Sequence, residues 1–185
     1  GSPIGRAGEG SLVDLRPDDM SAQIVRALMA KVPQVSPTDV EDLIMGCGQP
    51  GGEAGFNIAR ITAMLAGLDD VPGVTVNRYC SSSLQTIRMA AHAIRAGEGD
   101  CFIAAGVEAV SRYGNGAADT APNPIFVEPG QRSAERAQGG HGTWTPPSGL
   151  PDAYIAMGQT AENVREVENV SRTAMDEFAA LSQQR

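Results

Sequence analysis

Apolar positions along this chain recur with two periods that alternate. Ile24, Val25, Leu28, Met29 and Val32 fall on one stripe at helical spacing, which predicts a helix beginning near Ser21. Ser36-Pro37-Thr38-Asp39 reads as a short helix start, with Ser36 as cap and Pro37 in the first turn. Leu43-Ile44-Met45 is a continuous apolar run stopped by Gly46-Cys47-Gly48, the signature of a buried strand. A second helix is predicted over Asn57 to Leu68, closed by Gly67 and the turn from Asp69 to Gly73. Val74-Thr75-Val76-Asn77 is short and β-branched, hence a strand. From Ser81 the helical period returns. Leu84, Ile87, Ala91 and Ile94 are expected to face the core, with Gln85, Arg88, His92 and Arg95 on the wetter side. Gly97-Glu98-Gly99 ends that helix, and Asp100 to Gly106 reads as another buried strand.

Strands alternating with helices predict an α/β fold with a parallel sheet and helical crossovers. The alternation fails after Arg112. Tyr113 to Leu150 is rich in Gly and Pro, and a stretch that long without elements marks a functional excursion or disorder. Helical spacing resumes from Ala153 to Val167, and Ser171 caps a last helix bearing Met175, Phe178 and Leu181. No helix-ending signal precedes Arg185, so the chain reads as cut rather than finished.

Charge narrows the partners. A net charge of −8, spread over the chain with no acidic tail, argues against nucleic acid and anionic membranes. An anionic ligand would need a local basic surface. No run reaches the roughly 18 apolar residues of a membrane span, and no signal peptide is evident, so the expected compartment is the cytoplasm. Three cysteines without CxxC spacing, and only two histidines, point to reduced thiols and away from a metal site.

Of those cysteines, Cys47 and Cys101 fit small core residues. Cys80 differs, because a strand ends and an amphipathic helix begins around it, within Asn77-Arg78-Tyr79-Cys80-Ser81-Ser82-Ser83. Such a junction lies at the carboxyl edge of a parallel sheet, where ligands bind. Free backbone N–H groups and the helix dipole favour a thiolate there, which makes Cys80 a candidate covalent nucleophile for acyl transfer.

Asn77 to Ser82 resembles the nucleophile motif of thiolases, in which the Cys is acylated by acyl-CoA. Other stretches resemble the same family in the same order: Pro3–Arg6, Asn57–Arg60, Ala105–Ser111, Met157–Val164, Ser171-Arg172, Asp176–Ala179 and Leu181–Gln184. The resemblance implies a thiolase-like fold, with the first βαβ half over residues 1–112, the start of the loop domain over 113–185, and truncation at both ends. It implies Cys80 as the catalytic nucleophile and places Met157 near the bound pantetheine and acyl group, although an ordinary packing methionine fits that position equally well. Coenzyme A thioesters would be substrates, with no separate cofactor, and the assembly a homodimer or homotetramer.

The chain also departs from the family. Ser83 stands where Gly is common, and either crowds the nucleophile or is a subfamily variant. The family's Gly-His-Pro and Asn-Glu segments and its second reactive Cys are not found in these residues. His92 lies about 18 Å from Cys80 along the helix axis and cannot substitute. His141 reads as a solvated loop residue. On this basis the chain alone is expected to have little activity. The rival readings are a related condensing enzyme of the ketoacyl synthase type, a noncatalytic remnant that folds with a partner, and, more distantly, a Cys80–His141 hydrolase.

Overall fold

The computed structural model describes residues 1–116, 118–119, 121–139 and 144–185, and the chain divides into two compact units, Gly1–Thr120 and Ala121–Arg185. Among the described residues no helix is long and apolar enough to cross a membrane.

The first unit opens with α1 (Pro17–Lys31), which starts four residues before Ser21. Pro17 needs no N–H partner in the first turn, and Asp18 and Asp19 complement the positive helix end. The buried face is Pro17, Asp18, Ser21, Ala22 and Val25, whereas Ile24 and Leu28 stay exposed. Only part of the sequence stripe therefore turns inward. Ser36 caps the short turn at Pro37–Asp39 through a reciprocal pair: its Oγ accepts the Thr38 N–H and its own N–H donates to Asp39 Oδ2 at 2.7 Å.

Three strands follow: β1 (Asp42–Gly46), β2 (Gly73–Val76) and β3 (Phe102–Gly106), all parallel in the order β2-β1-β3. The α/β class is as expected. Between them run α2 (Ile58–Leu65) and α3 (Ser82–Ala96). The path steps from β1 to one neighbour, then back past β1 to the other. Right-handed crossovers made in opposite directions put their helices on opposite faces. Leu43, Met45 and Cys47 join Val25, Ile58, Ala59, Ala63, Leu68, Val71 and Ile103 in one core, while α3 lies over the other face of β1 and β3. Asn57, left-handed at φ 57°, ties α2 to β2. Its Nδ2 donates to Gly73 O at 2.7 Å and its Oδ1 accepts the Thr75 hydroxyl at 2.8 Å.

One expectation is corrected here. The face that α3 presents to the sheet is Ser82, Thr86 and Ala90, and Leu84, Ile87 and Ile94 point outward. The helix approaches too closely for large side chains beneath it. Thr86 tolerates burial because its hydroxyl donates to Ser83 O at 2.7 Å, with Ala105 O also within 3.2 Å.

The second unit contains α4 (Val127–Ala137), α5 (Met157–Val167) and α6 (Arg172–Gln184). The helix α4 falls inside the stretch expected to lack elements. Its Pro129 occupies the first turn, where a missing N–H costs nothing, so a residue that reads as a breaker is compatible with a helix. Ser171 caps α6 as expected, accepting the Ala174 N–H at 3.2 Å. Arg136 pairs with Glu166, which also accepts the Trp144 N–H at 2.9 Å. These two contacts hold the Glu166 carboxyl below its usual range, the Trp144 bond contributing most.

Candidate functional site

Parallel strands bring all their carboxyl ends to one edge, and three short segments emerge there: Cys47–Gln49 after β1, Asn77–Ser81 after β2 and Val107–Ala109 after β3. The middle of these carries Cys80. Asn77 Oδ1 accepts the Tyr79 N–H at 2.8 Å, bending the chain sharply as it leaves β2. Tyr79 is then left-handed at φ 45°, a conformation that costs a residue with a Cβ roughly 1–2 kcal/mol. Ser82 offsets that strain from below. Its buried Oγ accepts the Arg78 N–H at 2.8 Å and donates to Tyr79 O at 2.7 Å. Cys80 sits at the centre of this tight turn, Tyr79–Ser81, as an exposed free thiol two residues before α3 begins.

The turn rests on glycines. A Cβ on Gly46 would lie 2.5 Å from the Ser82 carbonyl carbon and 2.7 Å from Ser83 N, so only Gly lets the start of α3 approach β1 this closely. Ser83 turns its side chain toward Gly106 at the end of β3. It fills space at the end of the sheet. Gly48 passes next to Tyr79, and a Cβ at Gly48 would lie only 3.6 Å from the Tyr79 Cα.

Glu108 escaped the sequence reading as a residue of interest. Its Oε2 accepts the Gly48 N–H at 2.7 Å, and its Oε1 accepts the Gln49 N–H at 3.2 Å, with the Cys47 thiol 3.7 Å away. Burial pushes the Cys47 thiol up to about 11, and the Glu108 charge adds to the effect. Tyr113 is raised above the ordinary phenol range, chiefly by burial and then by its hydrogen bond to Glu108. Two signals in the sequence mark it: an acidic residue two positions past a buried strand, and its place inside the family-like stretch Ala105–Ser111.

The other sequence-picked residues stand apart from this turn. His92 is exposed, toward the far end of α3. His141 lies outside the described residues. Met157 is the first residue of α5, in the second unit, and is 67% exposed. Its thioether is thus available as an apolar contact surface.

Residues 2–185 match the family described as thiolase, N-terminal domain. The chain is similar to the beta-ketoadipyl-CoA thiolase of Pseudomonas knackmussii, 41% identical over 189 aligned residues that cover 99% of this chain and 45% of that protein. It is similar to the 3-ketoacyl-CoA thiolase of Bacillus subtilis, 39% identical over 184 residues, with 99% and 42% covered. A third relative is the 3-oxoadipyl-CoA/3-oxo-5,6-dehydrosuberyl-CoA thiolase of Escherichia coli, 40% identical over 190 residues, with 100% and 45% covered. The chain spans less than half the length of each of these relatives.

Proposed function

We propose that this chain, which belongs to the thiolase family and carries its N-terminal domain, supplies the nucleophile of an acyl-CoA acyltransferase. The observation that carries the reading is the Cys80 turn: a free, exposed thiol held on a strained, hydrogen-bonded bend at the carboxyl edge of a parallel sheet. Strain retained at one residue, and braced by its neighbours, is characteristic of functional positions.

In the reaction this implies, the Cys80 thiolate adds to the 3-keto carbonyl of a 3-ketoacyl-CoA. The bond between C2 and C3 then breaks, leaving the shortened acyl group on sulfur as a thioester. Acetyl-CoA departs after its C2 carbanion takes a proton. The thiol of free CoA next adds to the Cys80 thioester, expels the thiolate and carries the acyl group away, completing a ping-pong cycle. Claisen condensation follows the same steps in reverse. The groups that move the protons are assigned to no residue of this chain, because the motifs that carry them in the family do not occur in these 185 residues. The same absence underlies our expectation of little steady-state turnover by this chain alone.

The names of the relatives support 3-ketoacyl-CoA compounds as the substrate class. Met157, exposed at the start of α5, would offer an apolar wall to the pantetheine or acyl group. Homodimeric or homotetrameric assembly, and a cytoplasmic setting that keeps the three free cysteines reduced, belong to the same reading.

The test is denaturing mass spectrometry with peptide mapping after incubation with acetoacetyl-CoA. An acetyl adduct on Cys80 is expected in the full-length chain as encoded and is lost in C80A. A full-length protein that turns over substrate with no adduct on Cys80 would overturn the mechanism.

A further inference from the structure

We infer that Glu108 is a positioning residue for the Cys80 turn, an inference that rests on Cys80 being the acyl carrier. Its carboxylate is fixed from several sides at once. Gly48 and Gln49 donate backbone N–H groups to its two oxygens, at 2.7 and 3.2 Å, and Tyr113 and Cys47 approach the same carboxylate. Glu108 follows β3, whereas Gly48 and Gln49 follow β1, so the carboxylate ties two strand ends together at the functional edge.

That tie reaches Cys80 through backbone contact. Gly46 lies against the first turn of α3, and Gly48 lies against Tyr79, the strained residue immediately before Cys80. The segment from Gly46 to Gln49 is therefore the floor of the nucleophile turn, and Glu108 sets the height of that floor. Two charge-assisted hydrogen bonds to adjacent backbone N–H groups, Gly48 itself being buried, define the position of the floor. Glu108 touches no reacting atom in this arrangement. It acts by limiting where the Cys80 backbone can settle, and displacements of about 1 Å at a reacting atom can lower rates about a hundredfold.

The experiment uses the full-length chain as encoded, with E108Q, G48A and C80A. An amide keeps the volume of Glu108 but turns an N–H₂ group toward a backbone N–H, so one tie is lost. G48A leaves Glu108 chemically intact and places a methyl group 2.9 Å from its Oε2, on the Tyr79 side of the floor. Acetoacetyl-CoA thiolysis is followed at 25 °C, with active sites counted from the acyl-enzyme burst. The expected result is a fall in kcat per active site of at least tenfold in both variants, with KM within twofold of the parent. A purely structural role would lower the thermal midpoint and the burst amplitude while leaving kcat per active site unchanged, and that outcome overturns the inference. If E108Q does not fold, G48A decides alone, and an unchanged kcat there also overturns it. C80A separates the two readings: full turnover in C80A removes the Cys80 reading itself, whatever Glu108 does.

Discussion

Ser83 Oγ occupies the place that a Cβ on Gly106 would take, so the first turn of α3 and the end of β3 share one pocket of space. Gly106→Ala must therefore displace Ser83, at a cost of about 1 kcal/mol, the low end for overpacking, because the exposed Ser83 hydroxyl can turn away. Ser83→Gly frees the space. The pair should show a favourable coupling of about 1 kcal/mol in a double-mutant cycle measured by urea unfolding. Strict additivity would mean that the two residues do not compete. Gly46→Ala should cost more than Gly106→Ala, because its new methyl meets the backbone of Ser82 and Ser83, which cannot rotate away.

The cysteines should separate by reactivity. Cys80 is exposed, whereas Cys47 is buried beside Glu108 with its thiol pushed up to about 11. At pH 8 only about one Cys47 in a thousand is then a thiolate, and the thiolate is the species that reacts. Iodoacetamide at pH 8, followed by peptide mapping, should label Cys80 at least about tenfold faster than Cys47. Equal rates would mean that the strand end carrying Cys47 opens readily.

These relationships mark what the sequence could and could not convey. Strands β1 to β3, the Ser36 and Ser171 caps and the Cys80 bend were legible, because each depends on local chemistry within four or five residues. The facing of α3 was not. Periodicity assigns the large apolar residues to the core, but Gly46 and Gly106 draw the helix down until only Ser82, Thr86 and Ala90 fit beneath it. Glu108 was equally hidden, since its partners Gly48 and Gln49 lie about sixty positions away and are backbone groups. The helix α4 was masked by Pro129, which reads as a breaker unless its place in the first turn is known.

Stability of the first unit should fall in acid through Glu53. Its carboxylate accepts two bonds from Arg112, at 2.6 and 2.7 Å, and pairs with Arg16 at 3.3 Å. The Arg112 hydrogen bonds are the main reason its pKa is lowered. A lowered carboxyl contributes stability above its unfolded value of about 4.3, and that stability is lost as pH falls through the folded value. Asp42 works in the opposite sense. Burial raises its pKa, so its contribution favours the folded state at low pH and is lost as pH rises through the folded value. Thermal midpoints from pH 3 to 7 should show a shallower acid decline for E53Q than for the parent. D42N should gain over the parent at pH 7 and lose that gain toward pH 3. A parallel acid decline in E53Q would remove the Arg112 pair as its source.

The two faces of α3 give a direct test of which way the helix is turned. Leu84, Ile87 and Ile94 are 69%, 57% and 46% exposed in the chain, so replacing them with Lys removes little burial. Each change should shift stability by no more than about 0.5 kcal/mol, and the triple variant should bind less of a hydrophobic dye and self-associate less. Thr86→Val belongs to the inward face. It keeps the shape but removes the one hydroxyl donor that reaches Ser83 O, with Ala105 O nearby, which should cost about 1–2 kcal/mol. If the Lys variants unfold the chain while Thr86→Val is neutral, the apolar stripe faces the sheet after all. The nucleophile turn would then start from a helix rotated by about a third of a turn, and Ser82 could not brace Tyr79 from below.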